Sequence, residues 1–214
     1  MTKRPKVLLA DDHAMVAQGL VNLLESDFDL VGTVSNGREL VASAKKLGPD
    51  AIVADISMPS LNGLDAARQL KEADNPAKIV FLTMHADADL ATEAFRAGAS
   101  AYVVKHAAAE ELIEAIHAVL AGRVYLSPSI QGEVLEAFMR GGGEPEKASI
   151  DLTSRQREIL QLVAEGQTMK EIASQLNIST RTVESHKYET MERLGLKTTA
   201  ELIQFCIKRG IIMP

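Results

Sequence analysis

Apolar runs and amphipathic stretches alternate along the first half of the chain. The segments Lys6–Ala10, Asp29–Ser35, Asp50–Ile56, Ala77–Thr83 and Ala101–Lys105 are short and apolar at their centres. That pattern suits strands buried on both faces. Between and after them lie His13–Ser26, Gly37–Gly48, Asn62–Ala73, Asp89–Ala99 and Ala108–Gly122, each with apolar residues at helical spacing. In the first helix the predicted inner face is Val16, Leu20, Leu23 and Leu24, and Gly48 closes the second. Five such strand–helix units predict a doubly wound α/β domain, (βα)5, with a five-stranded parallel sheet. In a sheet of that kind, ligands gather beyond the carboxyl ends of the strands.

After Gly122 the pattern changes. Ser127 and Pro128 offer an N-cap and a first turn for a short helix, followed by the flexible, charged stretch GGGEPEKAS. Beyond it no strand pattern recurs. The segments 153–166, 168–176, 179–196 and 198–210 read as four helices with short turns, an all-α unit of helix-turn-helix type. The expected division is residues 1–122 for the α/β domain, 123–148 for a linker with a short helix, and 149–214 for the helical domain.

Composition adds three constraints. A single cysteine, Cys206, excludes an internal disulfide framework and suits a reducing compartment; it reads as a core residue of the last helix. The basic start of MTKRPKVLLADDH runs at once into acids, unlike a signal peptide, and no apolar run reaches membrane-spanning length. A soluble, cytoplasmic protein without membrane contact is expected. The net charge of −6 is unevenly shared: residues 149–214 carry nine Lys and Arg against eight Asp and Glu, leaving the rest at −7. Bulk charge therefore excludes the first domain as a nucleic-acid binder, and the second needs well-placed contacts.

The chemistry sits at the predicted strand ends: Asp11 and Asp12 after the first, Asp55 after the third, Thr83 at the fourth and Lys105 at the fifth. Each alone reads as a solvated loop residue, but the set converges on one sheet edge. Three carboxylates suit a hard cation such as Mg²⁺. An aspartate beside that cation can attack a phosphoryl group in line, while a lysine and a threonine hydroxyl bind its oxygens.

The motifs LLADDH, DISMPSLNG, FLTMHAD and AYVVKHA resemble the receiver domain of two-component response regulators over about the first 120 residues. The resemblance implies that Asp55 is the phosphoacceptor, loaded by a sensor histidine kinase. It implies Mg²⁺ as cofactor, bound by Asp11, Asp12, Asp55 and the backbone carbonyl of Ser57. Thr83 and Tyr102 would form the switch pair: the phosphoryl group draws the Thr hydroxyl inward and the ring fills the vacated space. Lys105 would contact the acyl phosphate, and Pro59 and Gly63 would shape the loop after the acceptor. Many receivers have a cis proline after the lysine, where this chain has His106. A cis non-proline bond costs about 3 kcal/mol, so Lys105–His106 is expected trans or strained. His13, His85 and His106 read as residues bordering the site, without metal-ligand spacing.

In the helical part, Ile172, Ala173, Leu176, Ile178 and Val183 are the expected packing positions, with Ser179 or Thr180 capping the second helix of the motif. The stretch from Leu152 to Ile212 resembles the LuxR-type DNA-binding domain. The whole chain is thus similar to the NarL/FixJ class of response regulators. The resemblance implies double-stranded DNA as partner, with Glu184, Ser185 and Tyr188 facing base edges and Arg181, Thr182 and Lys187 near phosphates. It also implies RNA polymerase as a partner and a homodimer when phosphorylated. Pairing would use the first and fifth helices, or the face of the fourth helix, fifth strand and fifth helix; the sequence does not choose. Met169 and Glu184 replace residues that are Asn and Lys in many members. Both changes weaken phosphate attraction, so binding is expected to need two linked copies.

Two other function classes fit parts of the pattern. A phosphorylation-gated protein-interaction module needs no DNA. An aspartyl-phosphate phosphohydrolase needs a second Asp two residues past the nucleophile, and position 57 is Ser. Beyond accepting phosphate and losing it slowly, the chain is not expected to be an enzyme.

Overall fold

The computed structural model describes residues 4–105, 109–140 and 152–212. The chain divides into two compact units, residues 1–144 and 145–214.

The first unit is a parallel sheet of six strands in the order β2-β1-β3-β4-β5-β6. The strands are β1 (Lys6–Ala10), β2 (Asp29–Val34), β3 (Ala51–Ala54), β4 (Lys78–Thr83), β5 (Ala101–Val104) and β6 (Tyr125–Leu126). Its helices are α1 (Ala14–Leu24), α2 (Gly37–Leu47), α3 (Gly63–Glu72), α4 (Ala88–Ala97), α5 (Ala109–Leu120) and α6 (Pro128–Arg140). Side chains alternate across each strand. Val7, Leu9, Val53, Val80, Leu82 and Val103 pack with Ala17 and Leu24 of α1 and Ile116 and Val119 of α5. Leu8, Ile52, Phe81 and Tyr102 have the opposite parity and lie beneath the chained helices α2, α3 and α4. Continuous apolar strands are what a sheet covered on both sides requires.

Three details differ from the sequence pattern. The sheet has a sixth strand: β6 has two residues, too few for a periodicity to register, yet it pairs with β5. Residues 123–140, expected as linker and short helix, extend the first unit, because α6 packs on α4 and buries Ile130. The inner face of α1 runs through Ala17, Leu20, Val21, Leu23 and Leu24; Val16 is 38% exposed and Met15 90%. The small Ala17 sits on the sheet side, which turns Val16 toward solvent.

The loop after β3 is held by close backbone approach. A Cβ at Gly63 would overlap the Asp55 carbonyl oxygen, and one at Gly37 would overlap that of Leu61. Gly63 N donates to Ile56 O at 2.9 Å and Gly37 N to Leu61 O at 3.0 Å. Only glycine permits such contacts.

The second unit comprises α7 (Ser154–Ala164), α8 (Met169–Leu176), α9 (Thr180–Leu194) and α10 (Thr199–Lys208). Thr153 with Gln156 and Thr168 with Glu171 form capping boxes at α7 and α8. Asn177 ends α8 in the left-handed region, and Ser179 caps α9 by accepting from Thr182 N. The resulting turn brings Ile172, Ala173, Leu176 and Val183 into one core with Ile159, Leu162, Leu202 and Cys206, and Ile178 packs at its margin. No helix among the described residues is long and apolar enough to cross a membrane.

Burial pushes the Cys206 thiol up from 9.0 to about 12. The neutral thiol therefore favours the fold below the ordinary thiol pKa, and that contribution is lost as pH rises toward 12. At neutral pH the native chain should resist iodoacetamide and label fully in guanidinium. Rapid labelling of the native chain would show that α10 is not packed as described.

Candidate functional site

Parallel pairing brings distant residues to one edge. Asp11 follows β1 and Asp55 follows β3, with Asp55 N bonded to Ala10 O at 2.8 Å. Lys105 follows β5, its amide bonded to Thr83 O at 2.7 Å. Asp11 and Asp55 are 3% and 5% exposed. Two unit charges about 4 Å apart interact by about 4 kcal/mol at an effective dielectric near ~20, so two buried carboxylates need a cation. Lys105 supplies one: its Nζ lies 2.7 Å from Asp11 Oδ2 and 2.6 Å from Asp55 Oδ2. Burial works to lower the Lys105 pKa, but the hydrogen bonds and charges of Asp11 and Asp55 outweigh it and raise it. The stabilisation is present below the ordinary lysine pKa and is lost as pH rises through the raised value.

The remaining carboxylate oxygens are also engaged. Asp11 Oδ1 accepts from His13 N at 2.8 Å, and Asp55 Oδ1 accepts from Ser57 N at 3.1 Å. Asp12 is exposed, with its Oδ1 2.8 Å from His13 Nδ1. Asp11, Asp12, His13 and Asp55 present ligand atoms within 4.8 Å of one another. Three hard oxygen donors fit a divalent cation of the Mg²⁺ type. His13 was not expected in this cluster; its place beside Asp12 in DDH is the signal that points to it.

Thr83 and Tyr102 meet through the backbone of His85. Thr83 Oγ1 accepts from His85 N at 3.2 Å, and the Tyr102 hydroxyl donates to His85 O at 2.7 Å. Tyr102 is fully buried. Burial, then the charges of Asp87 and Asp55, push its phenol above the ordinary range, against a smaller opposing effect of the neighbouring Thr83 hydroxyl. The role of the His85 backbone has no side-chain signature in the sequence. The Lys105–His106 bond lies outside the described residues.

On α9, Arg181, Glu184, Ser185 and Tyr188 line one shallow concave surface with Glu189 and Glu192. Tyr188 is 63% exposed. Lys187 stands half-buried beside this face, its ammonium 5.4 Å from the Tyr188 ring centre, a cation–π distance. Thr182 is held at the helix start, its Oγ1 2.8 Å from Ser179 Oγ. Acids outnumber bases on this surface, so it offers little net attraction to a phosphate backbone.

A family model of the response regulator receiver domain matches residues 7–117. A model of the bacterial regulatory proteins of the luxR family matches residues 151–206. The chain is 34% identical over 214 residues to the oxygen regulatory protein NreC of Staphylococcus carnosus, covering 97% of this chain and 99% of that one. It is 34% identical over 216 residues to the transcriptional regulatory protein MctR of Rhizobium johnstonii, covering 99% and 98%. The solved RcsB response regulator of Salmonella typhimurium aligns with a TM-score of 0.59 at 27% identity, over 95% of this chain and 98% of that one. The solved RcsB structures include a complex with DNA. Both halves of the chain are thus matched, in the same order as in relatives of full length. The chain belongs to the two-component response regulators of the NarL/FixJ class, in which a receiver precedes a LuxR-type DNA-binding domain.

Proposed function

We propose that Asp55 accepts a phosphoryl group from a sensor histidine kinase and that this event controls DNA binding by the second unit. The observation that carries the reading is the Asp11–Lys105–Asp55 cluster, a nucleophilic carboxylate held beside a compensating cation. In transfer, an Asp55 oxygen forms the bond to phosphorus as the bond to the kinase imidazole breaks. Asp11, Asp12, Asp55 and the carbonyl of Ser57 would hold Mg²⁺. The bound cation would neutralise charge between the carboxylates and the incoming phosphoryl oxygens. Lys105 exchanges its contact with Asp55 for a phosphoryl oxygen, and Thr83 turns its hydroxyl toward another. Tyr102, already buried beside Thr83, fills the space that this rotation leaves. Slow hydrolysis of the acyl phosphate completes the cycle; position 57 is Ser, so no second Asp stands there as an acid for rapid turnover.

Receivers then pair through α1 and α5. What supports this route is that β6 extends the sheet past β5 and α6 packs on α4, so the chain's own segment stands at the alternative face. Met15 and Val16 leave an apolar strip exposed on α1. Pairing places two copies of α9 on a two-fold or tandem site. Glu184, Ser185 and Tyr188 read base edges there, and Arg181, Thr182 and Lys187 contact phosphates; the solved complex of the RcsB neighbour with DNA supports DNA as the partner. RNA polymerase is the partner through which a bound dimer regulates transcription.

Three outcomes follow from this reading. A small phosphodonor with Mg²⁺ should load the chain, and Asp55→Asn should abolish loading; labelled Asp55→Asn would place the acceptor elsewhere. In sedimentation velocity, Mg²⁺ with beryllofluoride should convert monomer to dimer. Val16→Glu should block that shift while loading persists, and a dimer formed normally by Val16→Glu would exclude the α1 face. In selection from random DNA, Glu184→Ala should relax one cytosine position by about 1–3 kcal/mol. A uniform change across all sequences would instead mark Glu184 as acting through phosphate repulsion.

A further inference from the structure

Ser127 is fully buried where β6 passes into α6. Its amide donates to Tyr102 O at 2.9 Å. Its Oγ accepts from Val104 N at 3.0 Å, and its hydroxyl proton goes to a Glu111 carboxylate oxygen on α5. One residue therefore continues the β6 ladder along β5, with a side-chain oxygen standing where a backbone carbonyl would. The two β5 residues it holds are the buried tyrosine beside Thr83 and the residue immediately before Lys105. On its other side, Ile130 N donates to Ser127 O at 3.1 Å, and Gln131 Nε2 donates to Leu126 O at 2.8 Å. Ile130 is buried.

The chemistry explains why a hydroxyl stands here. The group must accept from a buried amide and donate to a carboxylate at once, which serine does and alanine cannot. A buried amide left unpaired is costly, so the end of β5 stays with Ser127 when it moves. Lys105, one residue further on, bridges two acids and must shift if either becomes occupied.

We propose that Ser127 is a positioning residue. It fixes the strand end that carries Lys105, and it passes any displacement of that end into α6, the helix that precedes the second unit in sequence. This rests on the reading of Asp55 as the phosphoryl acceptor.

The test is hydrogen exchange on the full chain, with and without Mg²⁺ and beryllofluoride, followed in residues 78–105 and in α6. In the unaltered protein both segments should change. In Ser127→Ala the first should still change and α6 should lose its response, whereas Glu111→Gln, which keeps an acceptor for the hydroxyl, should retain it. An α6 response that survives in Ser127→Ala, or is missing from the unaltered protein while 78–105 responds, overturns the relay but leaves the acceptor reading standing. If neither segment responds in the unaltered protein, both fall. Should Ser127→Ala fail to fold, Ser127→Cys, whose sulfur is a weaker acceptor for the Val104 amide, takes its place: a weakened α6 response supports the relay, and an unchanged one overturns it.

Discussion

One ammonium group holds the acidic site together. Asp11 and Asp55 are almost completely buried, and Lys105 touches both at hydrogen-bond distance. In the strand order β1-β3-β4-β5, that lysine starts two strands away from Asp55 and must reach across the end of β4, where Thr83 lies. A four-carbon stem spans the gap and ends in a compact charge. The balance of charge at β1 and β3 is therefore tied to the position of β5. A buried ion pair contributes little net stability when intact, but breaking it leaves a charge without a partner. That asymmetry suits a site meant to respond when its charge changes.

Around this pair the chain has placed features that limit how β5 can respond. Tyr102 is wedged into the core with its hydroxyl on the His85 backbone, and Ser127 pins the strand from its outer side. The loop after Asp55 is fixed by the approaches at Gly37 and Gly63. The loop after Asp55 is thus held by backbone approach, and β5 by side-chain hydrogen bonds at Tyr102, Lys105 and Ser127. Packed interiors shift between discrete arrangements rather than deforming smoothly.

Much of this was legible in the sequence because it depends on strand ends. Once five parallel strands are inferred, Asp11, Asp12, Asp55, Thr83 and Lys105 fall on one edge without knowledge of side-chain contacts. The core of the helical unit was legible as well, since Ile172, Leu176 and Val183 obey simple spacing. What escaped depends on tertiary choice. The strand β6 has only two residues, and its pairing is decided by the exposed side of β5 and by Ser127, not by its own pattern. In α1, both Val16 and Ala17 fit a helical face, and only the distance to the sheet selects the smaller one. His13 entered the acidic cluster through a local turn that brings its amide to Asp11.

The concave surface of α9 carries Glu184, Glu189 and Glu192 beside a single base, Arg181. Binding to arbitrary DNA arises almost wholly from phosphate contacts, and these acids subtract from it. A helix of that charge would linger only briefly on the wrong sequence. In the DNA-binding role proposed above, the protein would then spend its time in free diffusion rather than parked along the chromosome, and phosphorylation would be felt promptly at the few sites that hold it.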